Sequence, residues 1–478
     1  MSKRTTAAAT LSLLAAAALL GPAVHAQQQG VRLGFEKRPR PVLARTAGVA
    51  ASQDPQAAIR ASGAIYLLAV DTTAPAAPAE KTAGMVGHGG MGGDGEGAGR
   101  LIVCESRDGG DTFSRPIPVS KPGAQVVGHG ENGPRLAYGS GGMYALWEQR
   151  RADGGTDLMC AGSRMGTQWS EPVRVNDEKA TPSSNTFSSL TVAPNGDVYA
   201  VWLDGRDRGK GTLDVYLARS TDAGKTFGKN VRVVRGACPC CRPAVAVTDD
   251  GAVHVAYRNV TEGDIRDIYL TTSTDSGATF PSPARVAEDG WKIGGCPHTG
   301  PSLLARDGRL FCSWYSDGAA GAGKAGVRLA LSADGGKTFG APVLASRGLL
   351  DANHPSLFAG EYGRLFVVFQ ARDARASDGW GPLEAYVGEV SAAAGAKVAL
   401  GPLSRAPGRP ESAGGGPATY PAAVADAAGR VWVFWNEQAE TGDGRRQVVL
   451  SRGREGFAAP PAAPARQATG RPAAKQGG

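Results

Sequence analysis

Ser106-Arg-Asp-Gly-Gly-Asp-Thr-Phe113, Ser220-Thr-Asp-Ala-Gly-Lys-Thr-Phe227, Ser273-Thr-Asp-Ser-Gly-Ala-Thr-Phe280 and Ser332-Ala-Asp-Gly-Gly-Lys-Thr-Phe339 are copies of one phrase, S-x-D-x-G-x-T-F. Every residue type in it suits a tight turn. The Asp carboxylate can accept hydrogen bonds from its own backbone. The Gly can adopt a positive φ that a side chain obstructs. Thr favours strand re-entry, and Phe can pack into a core. A turn repeated this way implies a repeated supersecondary unit.

Working backwards from each turn exposes a longer repeat. It starts at Pro, reaches a Gly seven or eight residues on, and continues as an apolar run often ending in an aromatic. Pro243-AVAVTDDGAVHVAY-257, Pro301-SLLARDGRLFCSW-314, Pro355-SLFAGEYGRLFVVF-369 and Pro421-AAVADAAGRVWVFW-435 are the clearest copies. Others start at Pro55, Pro134 and Ser188. Each interval has room for four short β-runs, the content of one propeller blade. In the third they are SSLTVA, DVYAVW, LDVYLARS and NVRVV, with the S-x-D-x-G-x-T-F turn between the last two. No long helical period interrupts the pattern. The expectation is an all-β fold, a single β-propeller of four-stranded blades over residues 45–460. The repeat count favours seven blades, with six the alternative.

The turn is the Asp-box, and the chain resembles the sialidase-like (BNR-repeat) β-propellers. The resemblance covers almost the whole chain as a fold. It implies a ligand site on the face opposite the Asp-boxes, where strand four leads to the next strand one and strand two to strand three. A sialidase also needs an arginine cluster for the substrate carboxylate, an acid/base carboxylate, and a Tyr made nucleophilic by a Glu. The Phe/Tyr-Arg-Ile-Pro phrase that usually carries the first arginine is missing. Stand-ins are Arg242, Arg206 and Arg372 for the clamp, Tyr420 as nucleophile, and Glu437 or Asp204 as carboxylates.

The rarest residues fall on that same face. The loop before blade two is Gly128-His-Gly-Glu-Asn-Gly-Pro134, and that before blade six is Asp351-Ala-Asn-His-Pro355. Blades four and five are preceded by Ala237-Cys-Pro-Cys-Cys-Arg-Pro243 and Gly294-Gly-Cys-Pro-His-Thr-Gly-Pro301. The two Cys-Pro loops occupy matching places in consecutive blades, so their sulfurs should converge. Cys238, Cys240, Cys241, Cys296, His298, His129 and His354 are therefore candidate ligands for a soft metal. Copper is favoured over zinc, because Met85, His88 and Met91 on a glycine-rich insertion at 81–99 could add thioether and imidazole donors. The competing reading is a disulfide from Cys296 to Cys238, Cys240 or Cys241, stapling blades four and five. Cys104, Cys160 and Cys312 fall in strands and are expected as buried small hydrophobes.

The first 26 residues combine Lys3-Arg4, an apolar Ala7–Leu20 stretch and Val24-His-Ala26, the pattern of a cleaved signal peptide. Residues 27–44 are then an N-terminal extension, and 461–478 a basic Pro/Ala-rich tail expected to be disordered. A periplasmic or secreted protein follows, without an integral membrane segment after cleavage. The formal charge is +8 over 478 residues, spread along the chain with no basic stripe, so nucleic acid is not suggested. We expect a monomer with a metal, glycan or other small ligand at the channel mouth. Three functions remain open here: a soft-metal binder, a divergent exo-glycosidase of the sialidase type, or a non-catalytic glycan- or protein-binding scaffold.

Overall fold

The computed structural model describes residues 33–36, 39–73, 99–179, 183–209, 211–318, 325–360, 364–374, 381–390, 399–402, 417–439 and 445–455. The 1–26 leader, the glycine-rich insertion with Met85, His88 and Met91, and the 461–478 tail lie outside them. No described helix is long and apolar enough to cross a membrane.

Seven antiparallel sheets follow one another along the chain. Blade one is Ser52–Ile59, Ile65–Asp71, Arg100–Ser106 and Ile117–Pro118. First strands of blades two to seven are Arg135–Gly139, Asn185–Val192, Ala244–Val247, Ser302–Arg306, Leu349–Ala359 and Thr419–Ala425. Each first strand contacts those of both neighbouring blades, and the seventh contacts the first, so the ring closes.

Alternation along the second strands explains why sheets stack around an axis. On Ile65–Asp71 every residue is buried. Ile65, Leu67 and Ala69 pack with Trp432 and Phe434 of blade seven, whereas Tyr66, Leu68 and Val70 pack with Met143, Ala145 and Trp147 of blade two. A strand with both faces covered must be apolar on both, which is why these runs lack polar alternation. Five further clusters repeat the arrangement between successive blades. Cys104, Cys160 and Cys312 are fully buried in these cores, and burial pushes the first two thiols up to about 12.

The N-terminal segment is not an extension. Leu33–Phe35 pairs with Arg446–Glu455, so the outer strand of blade seven comes from the start of the ring. Arg40–Pro41 pairs farther along the same strand, and Val42 and Leu43 enter the core between blades seven and one. The propeller boundary expected at residue 45 therefore moves to Leu33.

The Asp-boxes show why their residue types recur. Asp108 Oδ1 accepts from Thr112 N (2.9 Å) and from Ser106 Oγ (2.8 Å), while Gly110 N donates to Ser106 Oγ (2.8 Å). The same bonds recur at Asp222, Asp275 and Asp334. Hydrogen bonds from Thr226 hold the Asp222 carboxyl down at about 2. Gly110 has φ +89°, and a Cβ there would meet Leu450 at 2.9 Å, so a side chain would both strain the turn and strike blade seven.

His254 lies inside the second strand of blade four, 1% exposed. Its Nε2 meets Thr248 Oγ1 at 3.0 Å and its Nδ1 meets Thr272 Oγ1 at 2.9 Å. Burial lowers its pKa from 6.5 to about 4. The unfolded chain thus binds this proton first. Stability from the neutral imidazole is complete above pH ~6.5 and declines as the pH falls toward ~4, by roughly 3 kcal/mol in all. His254→Gln should flatten that part of the pH–stability curve. Denaturant titrations from pH 4 to 7 check this, and parallel curves for the two proteins would refute it.

Candidate functional site

Each copy of the repeat begins just after an equivalent rim position. Around the ring these are Asp54, Gly133, Phe187, Arg242, Gly300, His354 and Tyr420. Asp54, Phe187, His354 and Tyr420 have φ of 55°, 52°, 53° and 51°. The strand register shifts at the same four places, so a β-bulge opens each of these blades. Bulges re-aim side chains, and here Asp54, His354 and Tyr420 meet at one tripeptide.

That tripeptide is Gly130-Glu131-Asn132, buried throughout. Gly130 N donates to Asp54 Oδ1 of blade one at 3.0 Å. Asn132 donates to Glu148 of blade two and accepts from Phe187 N of blade three at 2.6 Å. Arg242 of blade four donates to Glu131 O at 2.8 Å and lies 3.3 Å from its carboxylate. Gly300 N of blade five donates to Glu131 Oε1 at 2.7 Å. His354 Nε2 of blade six stands 3.8 Å from Glu131 Oε2. The Tyr420 ring of blade seven packs so close to Gly130 that a Cβ there would lie 2.3 Å from it. Three residues thus touch all seven blades and form a plug across this end of the channel.

The sialidase-type candidates divide accordingly. Tyr420 is half-buried with its ring edge-on to His354, centroids 4.6 Å apart. Burial pushes its phenol up to about 12, with Glu131 and Asp54 adding to the rise. Glu437 accepts from Trp435 Nε1 at 3.4 Å within blade seven. Of the three clamp arginines, Arg242 alone reaches the centre. Arg206 is committed in blade three to Asp204, Asp177 and Glu178, with the Tyr216 ring 4.3 Å below it. Arg372 pairs with Asp351 at 2.8 Å in blade six. Asp204 is fully buried and also accepts from Trp202 Nε1 at 2.9 Å. The three proposed clamp arginines therefore do not meet.

The metal candidates also separate into two groups. His354 belongs to the plug and reaches the backbone of His298, and burial lowers its pKa. The charge of His129 is felt by Asp54, also beside the plug. The thiols meet elsewhere on the rim, between blades four and five. Sulfurs of Cys238, Cys240 and Cys296 all lie within 4.8 Å of one another. Cys238 Sγ is 3.8 Å from Cys240 Sγ and 3.6 Å from Cys241 Sγ. Among the described residues this trio is the one His/Cys/Asp/Glu group close enough to hold an ion. All seven cysteines are free, so the structure does not form the competing staple through Cys296.

Two buried arginines, neither assigned to this cluster by the sequence, attend the sulfurs. Arg266 Nη1 lies 3.3 Å from Cys238 Sγ and 3.9 Å from Cys296 Sγ, and Asp264 Oδ1 holds its Nη2 at 2.9 Å. Arg258 is 1% exposed and donates to the carbonyls of Arg266, Thr299 and Tyr315. Hydrogen bonds from Cys240, Cys241 and Cys296, together with the charge of Arg258, hold the Cys238 thiol far below its usual range. Sharing with Cys238 raises Cys240 and Cys296 in turn.

A family model described as a BNR repeat-like domain matches residues 196–380, which hold three of the four Asp-boxes. The chain is a seven-bladed β-propeller whose middle blades match the BNR repeat. No curated protein matches this propeller in sequence. Among solved structures it is similar to a protein of unknown function from Dyadobacter fermentans, at 16% identity and TM-score 0.47, covering 70% of this chain and 96% of that one. It is also similar to the NanB sialidase of Streptococcus pneumoniae, at 11% identity and TM-score 0.44, covering 89% and 98%. A third is the α-L-arabinofuranosidase Arb93A of Fusarium graminearum, at 12% identity and TM-score 0.43, covering 89% and 96%.

Proposed function

We propose that this propeller is an exported protein that binds one soft metal ion, copper rather than zinc, through Cys238, Cys240 and Cys296. The observation that carries the reading is the convergence of three sulfurs within 4.8 Å from two loops far apart in sequence. Sulfurs bound about 2.3 Å from a shared ion lie roughly 3.8–4.0 Å apart. The 3.8 Å between Cys238 and Cys240 fits that spacing without movement. Thiolates are soft donors, and an all-sulfur set favours Cu(I) among biological ions. When bound, the metal would draw on these sulfurs, while His354 and His129 stand with the plug.

A buried arginine supports the same reading. Arg258 has only carbonyl partners among the hydrogen bonds around it, yet a buried cation calls for a nearby anion. Thiolates held by a metal would supply one permanently. The glycosidase reading is weaker, because Arg206 and Arg372 serve their own blades and Glu131 already engages Arg242.

Protein purified from its native compartment should carry about one copper per chain and begin at Gln27. Free-thiol counting with a denaturant should rise by three when the metal is removed. The Cys240→Ser/Cys296→Ser variant should fold and retain no metal. Metal-free wild type with a disulfide among these loops would overturn the proposal in favour of the staple.

A further inference from the structure

Arg266 sits in the loop between strands two and three of blade four, where its backbone N donates to Trp291 O at 2.8 Å. Its guanidinium is fixed from behind by Asp264, with Nε 3.1 Å and Nη2 2.9 Å from one carboxylate oxygen. The free edge, Nη1, faces Cys238 and Cys296 together. Arg266 is only 9% exposed. A buried, clamped guanidinium thus lies against two of the three sulfurs that would hold the metal. Cys241 is beside Cys238, but outside the set whose sulfurs share a common reach.

We infer that Arg266 is the specificity-determining residue of this centre, restricting it to a three-coordinate monovalent soft cation and excluding Zn(II). The inference rests on the soft-metal reading above. Two physical terms act in the same direction. The first is coordination: structural zinc takes four ligands, and the side on which a fourth donor would approach Cys238 and Cys296 is filled by a group with no acceptor to offer. The second is charge. Three thiolates with a monovalent ion carry two negative charges net, facing Arg258 and the guanidinium end of the Arg266–Asp264 pair. Loading with either metal releases the same thiol protons to solvent, so the proton cost cancels in the ratio of affinities. The guanidinium repels the second charge of Zn(II) directly. At about 5 Å and an intermediate effective dielectric this is worth about tenfold or more in the ratio.

The test is competitive loading of the full chain under reducing, anaerobic conditions. Cu(I) is titrated against bathocuproine disulfonate and Zn(II) against a chromophoric zinc chelator. Arg266→Met keeps the bulk and removes the charge, and Arg266→Lys keeps the charge. Arg266→Met should shift the Cu(I)/Zn(II) affinity ratio toward zinc by at least about tenfold, and Arg266→Lys should shift it much less. A ratio unchanged in Arg266→Met, or wild type that prefers zinc, would overturn the inference while leaving a metal-binding cluster. Wild type that binds neither ion would overturn the soft-metal reading itself. X-ray absorption on copper-loaded wild type needs no variant. Three sulfur neighbours and no fourth ligand are expected, and four-coordinate copper would count against the role of Arg266.

Discussion

Glu131→Ala should lower the unfolding free energy by about 3–5 kcal/mol, the range for breaking a buried ion pair from one side. The side chain is 3% exposed and its carboxylate serves blades four, five and six at once. Removing it strands the Gly300 N–H and leaves half of the Arg242 fork unpaired in a buried space. The Arg242 contact with the Glu131 carbonyl survives, because it is made to backbone. The cavity left behind is the size and polarity of a small carboxylate. Acetate should therefore raise the melting midpoint of Glu131→Ala and leave that of the wild type alone, as expected for a ligand that binds only the folded variant. Urea unfolding and melts with added acetate measure both effects. A loss no greater than that of an ordinary surface substitution, about 0.5 kcal/mol, would show that the plug is not a tie between blades. The outcome also bears on function: a propeller whose own glutamate supplies the carboxylate at its axis does not hold that position open for a substrate's acid.

The blades were legible because each is built by a repeated choice. Second strands buried on both faces must be apolar throughout, and every Asp-box needs its Gly against the preceding blade. Meeting of the Cys-Pro loops was legible for the same reason, since matching places in consecutive blades are neighbours. The division between sulfur and imidazole was not. His354 and Arg242 stand immediately before the first-strand proline, where they reach the axis; Cys238, Cys240 and Cys241 stand farther back in the loop and gather between blades. One or two residues of loop separate the two destinations, and residue type does not encode the difference. Glu131 carries no signal of its plug role in the sequence, because a lone glutamate in a loop has the composition of a solvated turn. Arg266 belongs to a different loop from the cysteines, and no spacing rule connects it to them.

A chain that begins at residue 45, the boundary the repeat pattern suggests, should lose more than roughly 5 kcal/mol of stability relative to one that begins at residue 27. Val42 and Leu43 are 2% and 1% exposed in the core between blades seven and one, and burial of side chains of this size contributes about 1.5–3 kcal/mol each. Phe35 packs against blade seven as well. The lost segment also supplies the pairing of Leu33–Phe35 and Arg40–Pro41 with Arg446–Glu455, the ion pair of Glu36 with Arg452, and the bond from Arg40 to Asp111 at 3.0 Å that ties blade seven to the first Asp-box. Without it, the outer strand of blade seven presents a row of unpaired N–H and C=O groups, a template for association with another chain. The shorter protein should therefore melt earlier and elute as larger species. Equal melting temperatures and equal elution volumes for the two chains would mean that the three-residue strand is an ornament on a ring already closed by its first strands. The register argues otherwise: the segment reaches back across nearly the whole sequence to pair Leu33 with Glu455, and nothing else among the described residues covers that edge.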